Sequence, residues 1–204
     1  ASSNKYDVIN PGAGNDTVQI QSKIAFVDDN WAKDEYHAGE EEYDSGDDRY
    51  IISSLKNGTV INDLGGNDEI VLSESFKDVN FIFDVAKNDD FLESIESNNL
   101  YIINNSTLQK ITSTKNIYTT MGVQIGDYFV DENEIETIRT KDYYITSAEI
   151  QRIKDNVQTW LKNNGYNTAL SALQFANPDK LKELLAIYKN VDWIKNGEQR
   201  YRID

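Results

Sequence analysis

The chain has 204 residues, with 35 acidic against 20 basic side chains, a net charge of −15 and no cysteine. That length allows one or two domains with a real core, while the acidic excess disfavours nucleic acid and anionic membranes as partners. Missing thiols exclude disulfides and cysteine-ligated zinc, and no apolar run approaches the roughly 18 residues of a membrane span.

The first third of the chain carries a repeat. Pro11-Gly12-Ala13-Gly14-Asn15-Asp16-Thr17-Val18-Gln19, Tyr43-Asp44-Ser45-Gly46-Asp47-Asp48-Arg49-Tyr50-Ile51 and Asp63-Leu64-Gly65-Gly66-Asn67-Asp68-Glu69-Ile70-Val71 share one frame. Glycine stands fourth, Asn or Asp fifth, Asp sixth and an apolar residue eighth. A single Gly-Asn-Asp reads as a plain turn signal between strands. Three copies in one nonapeptide frame argue against that.

The pattern resembles the G-G-x-G-x-D-x-U-x repeat of the RTX (repeats-in-toxin) family, which binds Ca²⁺ in a parallel β-roll. Glycines permit positive φ and bring bare carbonyls close together, and the sixth-position Asp adds a hard anionic oxygen. Ca²⁺ takes six to eight such oxygens. The resemblance implies metal ligands among Asp7, Gly12, Gly14, Asp16, Asp44, Gly46, Asp48, Asp63, Gly65, Gly66 and Asp68. In the family one coil takes two motifs, eighteen residues. Asp48 and Asp68 are close to one coil apart, with a small surplus near Leu55-Lys56-Asn57-Gly58, so their turns are expected to stack around one ion. Asp16 and Asp48 need an insertion, which residues 21–42 supply. Asp7 lies in phase before Asp16, followed by Val8-Ile9, as the end of a degenerate repeat. The array is expected to continue upstream of Ala1. The acidic runs Asp28-Asp29, Asp34-Glu35 and Glu40-Glu41-Glu42 read equally as a solvated face or an auxiliary cation site.

From Asn80 the pattern predicts short strands at Phe81–Val85, Leu100–Ile103, Ile117-Tyr118 and Val123–Ile125. Val123-x-Ile125-x-Asp127-Tyr128-Phe129, Ile135-Glu136-Thr137-Ile138 and Asp142-Tyr143-Tyr144-Ile145-Thr146 then resemble the segment that follows RTX repeats and caps them. Tyr143 stands where that segment usually has glycine. Glu136 reads as a surface or cap carboxylate, and the aromatic pairs as packing.

Periodicity changes after Thr146. Thr146-Ser147-Ala148-Glu149 resembles a capping box, and Ile150, Ile153, Val157, Trp160 and Leu161 share a helical face that ends at Asn164-Gly165. A second helix is expected over Thr168–Ala176. A third opens at Asn177-Pro178, with Leu181, Leu184, Leu185 and Tyr188 inward. This region reads as a helical cap or as part of an uncleaved export signal.

One histidine, His37, lies in the acidic insertion, and no H-E-x-x-H, G-x-S-x-G or P-loop pattern occurs. Both prolines, Pro11 and Pro178, follow Asn, so the Asp-Pro bond cut by self-processing RTX modules is missing. The chain is not expected to be an enzyme.

The resulting expectation is a mainly β chain with C-terminal helices. Residues 1–72 form a parallel β-roll with an insertion at 21–42, residues 73–146 a β capping region, and residues 147–204 a helical region. The resemblance implies a Ca²⁺-binding part of a larger toxin or exoprotein, secreted to the extracellular space or the bacterial surface through the type I machinery. Its parent would meet a host-cell surface or glycan. Alternatives are a calcium-rigidified adhesin or S-layer module gripping glycan or peptide, and the tail or self-processing module of a secreted enzyme.

Overall fold

A computed structural model describes residues 7–12, 14–28, 46–63, 65–87, 98–115, 122–130 and 133–198. The repeat residues form short strands with strict in–out alternation. β2 (Thr17–Ile20), β4 (Arg49–Ile52) and β6 (Glu69–Leu72) turn Val18 and Ile20, Tyr50 and Ile52, and Ile70 and Leu72 into the core. The eighth residue of each nonapeptide is therefore an inward one. The three strands run parallel, in the register Thr17↔Arg49↔Glu69. Between them the chain crosses to a second sheet, where β1 (Asp7–Ile9), β3 (Ile24–Asp28) and β5 (Gly58–Asn62) also pair in parallel. The turn between β4 and β5 holds Leu55-Lys56-Asn57. There Leu55 is fully buried and donates its N–H to Glu74 Oε1 at 2.7 Å.

The downstream segment extends both sheets. β7 (Val79–Phe83) and β8 (Leu100–Asn104) pair antiparallel, and β9 (Gly122–Ile125) lies antiparallel to β8 and parallel to β5. On the other sheet β10 (Thr137–Arg139) joins β6 in parallel. β11 (Tyr143–Thr146) and β12 (Ile194–Lys195) then follow antiparallel. The sheet orders are β1-β3-β5-β9-β8-β7 and β12-β11-β10-β6-β4-β2.

These sheets overturn the expected fold class. Both are mixed, and helix and strand contribute nearly equal shares (34% and 32%), so the chain is α/β and not a mainly β parallel roll. The physical reason is the downstream half. Its hairpins add antiparallel strands to each sheet, and its helices bury their own apolar faces in the same core. The expected strand at Ile117-Tyr118 lies outside the described residues.

Four helices complete the core. α1 (Asn105–Thr114) was not expected; it opens on Asn104, whose side chain accepts the Thr107 N–H, and buries Leu108 and Ile111. α2 (Ser147–Asn164) buries Ile150, Ile153, Val157, Trp160 and Leu161, and stops at Gly165 in the left-handed region (φ 75°). Its expected capping box is not made. The Glu149 carboxylate is taken up by Arg152 and by the Asp192 N–H instead. The reciprocal box occurs at Thr168 and Ser171, at the start of α3 (Ala169–Phe175). α4 (Pro178–Lys189) has Pro178 in its first turn and the Asn177 side chain as cap. No helix among the described residues is long and apolar enough to cross a membrane.

The turn at Asp142 does not need the glycine that Tyr143 replaces. Asp142 accepts the Phe76 N–H (3.0 Å) and the hydroxyls of Ser75 (2.9 Å) and Thr140 (3.1 Å), and Tyr143 starts β11 at negative φ.

Fourth-position glycine has a steric reason. Gly14, Gly46 and Gly66 stack on one another, so a Cβ on Gly46 would run into the Gly14 carbonyl, and one on Gly66 into the Gly46 carbonyl. Main chain cannot give way as a flexible side chain can. Gly46→Ala is therefore expected to lose about 2–3 kcal/mol in denaturant unfolding. Gly197→Ala, with open space around it, should stay within about 0.5 kcal/mol of wild type.

Candidate cation site

The residue that ends each turn holds the next coil. Asp16 donates its N–H to Asp48 Oδ1 (2.8 Å) and accepts at its carbonyl from the Arg49 N–H (3.0 Å). Asp48 repeats this one strand on, donating to Asp68 Oδ1 (2.7 Å) and accepting from Glu69 (2.8 Å). Asp68 repeats it again, but its N–H goes to Glu136 Oε2 (2.6 Å) and its carbonyl accepts from Thr137 (3.1 Å). A parallel outer row runs the opposite way, each downstream N–H donating to the side chain of the preceding turn: Asp47 N–H to Asn15 Oδ1, and Asn67 N–H to Asp47 Oδ1, both 3.0 Å. Fifth and sixth positions of the nonapeptide thus carry side-chain acceptors for main-chain donors of the neighbouring turn.

Behind these rows lies a buried acidic cluster. Asp48, Asp63 and Asp68 are only 2%, 3% and 1% exposed. The Tyr50 hydroxyl sits between Asp48 Oδ2 (3.1 Å) and Asp63 Oδ1. The Oδ2 atoms of Asp63 and Asp68 are buried without a hydrogen-bond donor. No described Lys, Arg or His pairs with these three acids; Arg49, which starts β4, and Arg139, which ends β10, both hold Glu69 (3.0 and 2.6 Å).

Burial raises all three carboxyls above the ordinary aspartate value. For Asp63 the Asp48 and Glu136 charges add to it, and for Asp68 so does the facing Asp63 carboxyl. Asp63 and Asp68 are close enough for each carboxyl to act on the other's proton affinity. Two such carboxylates cannot both be charged and unscreened; a proton on one or a cation between them removes the repulsion.

The residues expected to bind metal therefore separate into groups. Asp16, Asp48 and Asp68 come into line, with Asp63 behind them and Gly14, Gly46 and Gly66 stacked alongside. Gly12 and Gly65 sit in the turns at positive φ (90° and 71°). Asp7 does not join: it starts an exposed strand of the other sheet, in register with Ala25. Asp44 lies outside the described residues. Among the described residues no group of three or more His, Cys, Asp or Glu side chains is placed to hold a metal ion. Asp63 and Asp68 form a pair, and their companion acids are turned onto N–H groups.

Two members escaped the sequence reading. Tyr50 fills the apolar eighth position, which gives no sign of its hydroxyl's role. Glu136 was read as a cap carboxylate, although Glu136-Thr137-Ile138 repeats the acid-x-apolar order of Asp68-Glu69-Ile70. No family model, curated protein or solved structure matches the chain.

The pair makes stability pH-dependent when no cation is bound. Asp68 is raised to about 9, so between the unfolded value of 3.8 and that point the folded chain holds more protons than the unfolded one. Stability from this group is full below the unfolded value and is lost as pH rises towards 9. In chelated protein the melting temperature is expected to fall from pH 5 to pH 9. Asp68→Asn, which keeps an acceptor for the Asp48 N–H, should flatten that slope; an unchanged slope would place the titration elsewhere.

Proposed function

We propose that this chain is a calcium-binding region of a larger secreted protein, ordered by Ca²⁺ once it reaches the extracellular space after type I export. The resemblance of its nonapeptides to RTX repeats supports this reading. The observation that carries it is the Asp63–Asp68 pair: two buried, adjacent carboxylates with a free oxygen each and no protein cation beside them. Their donor chemistry fits a hard divalent ion. Carboxylate oxygen is the preferred Ca²⁺ ligand, and main-chain carbonyls of the glycine-containing turns are of the same kind. Bound there, Ca²⁺ supplies the positive charge that the cluster lacks.

The mechanism is linkage. An ion that binds the folded chain and not the unfolded one stabilises in proportion to the logarithm of its concentration over Kd. Extracellular modules of this kind have Kd of roughly 10⁻⁴–10⁻³ M, so a cytosol poor in free calcium leaves the acids unscreened and the chain open. The tyrosines support a scaffold over a glycan-gripping face. Tyr50, Tyr128 and Tyr188 are buried, and no described tyrosine is fully exposed.

Calcium titrated into chelator-treated protein, followed by far-UV circular dichroism with magnesium as control, tests the reading. A calcium-specific gain of ordered signal at sub-millimolar to millimolar concentration is expected, and Asp63→Asn with Asp68→Asn should abolish it. A wild-type chain equally folded in chelator and calcium would falsify the proposal.

A further inference from the structure

The flank's own residue finishes the acidic row. At three successive strands the same reciprocal pair recurs: an acid donates its N–H to the next carboxylate and accepts, at its carbonyl, the N–H one residue further on. The third pair is made not by another repeat but by Glu136, 68 residues downstream of Asp68. β10 enters in the register Thr137↔Glu69, just as Arg49 stands opposite Glu69 on the other side, so Glu136 occupies the place of a fourth repeat aspartate. Its neighbours are fixed: Ile135 is fully buried and its carbonyl accepts the buried Tyr128 hydroxyl at 3.2 Å.

We propose that Glu136 is the positioning residue through which the downstream segment sets calcium affinity at the Asp63–Asp68 pair. This rests on the calcium reading above. Asp68 is gripped at two points, its Oδ1 by the Asp48 N–H and its own N–H by Glu136. Between them they fix the Asp68 carboxyl, whose Oδ2 is buried without a donor, beside the buried Asp63. Without Glu136 the Asp68 main chain loses one anchor, and calcium must order the turn at the expense of its own binding energy. The bond, more than the charge, does this.

Calcium midpoints of four variants test it. Glu136→Ala is expected to raise the midpoint roughly tenfold, the size of one hydrogen bond to a charged group. Glu136→Gln keeps the acceptor and loses the charge, and should stay within about threefold of wild type. Glu136→Asp keeps the charge and loses the reach, and should be weaker than Glu136→Gln. Glu134→Ala is the control and should match wild type. Should Glu136→Ala stay unfolded at saturating calcium, the order of the Asp and Gln variants decides. Glu136→Asp binding as well as or better than Glu136→Gln would overturn positioning in favour of simple charge. A Glu136→Ala midpoint equal to wild type would overturn the inference alone, leaving the calcium reading intact. A wild-type chain indifferent to calcium would overturn both.

Discussion

Carboxylates that accept main-chain N–H groups join one turn to the next along the edge where the two sheets meet. A strand pair of only four residues carries few ladder bonds, and two short strands are marginal in water. Here each pair gains an additional bond at its leading end, from Asp16 to Asp48, Asp48 to Asp68 and Asp68 to Glu136. Because acceptor and donor precede neighbouring parallel strands, the register of one strand fixes the next. The outward row Arg49–Glu69–Arg139 repeats that logic with ion pairs on the solvent side.

That arrangement has an electrostatic cost. A hydrogen bond to a charged group contributes about 1.5–3 kcal/mol. Taking an unpaired carboxylate out of water costs several kcal/mol even after relaxation. Asp48, with bonds to both oxygens, can meet this; Asp63 and Asp68, each with one oxygen bare, cannot. Burial therefore leaves the pair short of positive charge, which a proton on either carboxyl offsets; under the calcium proposal a divalent cation competes for that place. It follows that the same residues which set the register also make the fold conditional on solution composition.

The inner logic of the repeats was legible in the sequence because each feature is local. Glycine at the fourth position answers a main-chain contact, Asp at the sixth an N–H, and the eighth residue the core, so the nonapeptide frame alone places Asp16, Asp48 and Asp68 together. The three C-terminal helices were legible from Gly165, Pro178 and their apolar faces. The rest depended on partners distant in sequence. Leu100–Ile103 reads as a strand and lies within β8, but nothing in it shows that Asn104, the next residue, caps a helix. Asp7 is in phase by counting and apart in space, because counting cannot tell which sheet a strand joins. Glu136 is one carboxylate among many until β10 is seen beside β6. For the same reason the mixed sheets were missed: antiparallel additions are decided by pairing, not by pattern.

The three N–H-to-carboxylate links close chain segments of different length, 32, 20 and 68 residues for Asp16–Asp48, Asp48–Asp68 and Asp68–Glu136. Loop-closure entropy grows only with the logarithm of that length, so the longest link costs about 1 kcal/mol more than the shortest. Thermodynamically the chain is nearly indifferent to what is inserted between coils, which is how residues 29–45 can separate adjacent turns. Kinetically it is not, since distant contacts must wait for diffusion of the intervening chain. On loop length alone, closure is easiest for Asp48–Asp68, next for Asp16–Asp48 and hardest for Asp68–Glu136, so the flank has the longest search.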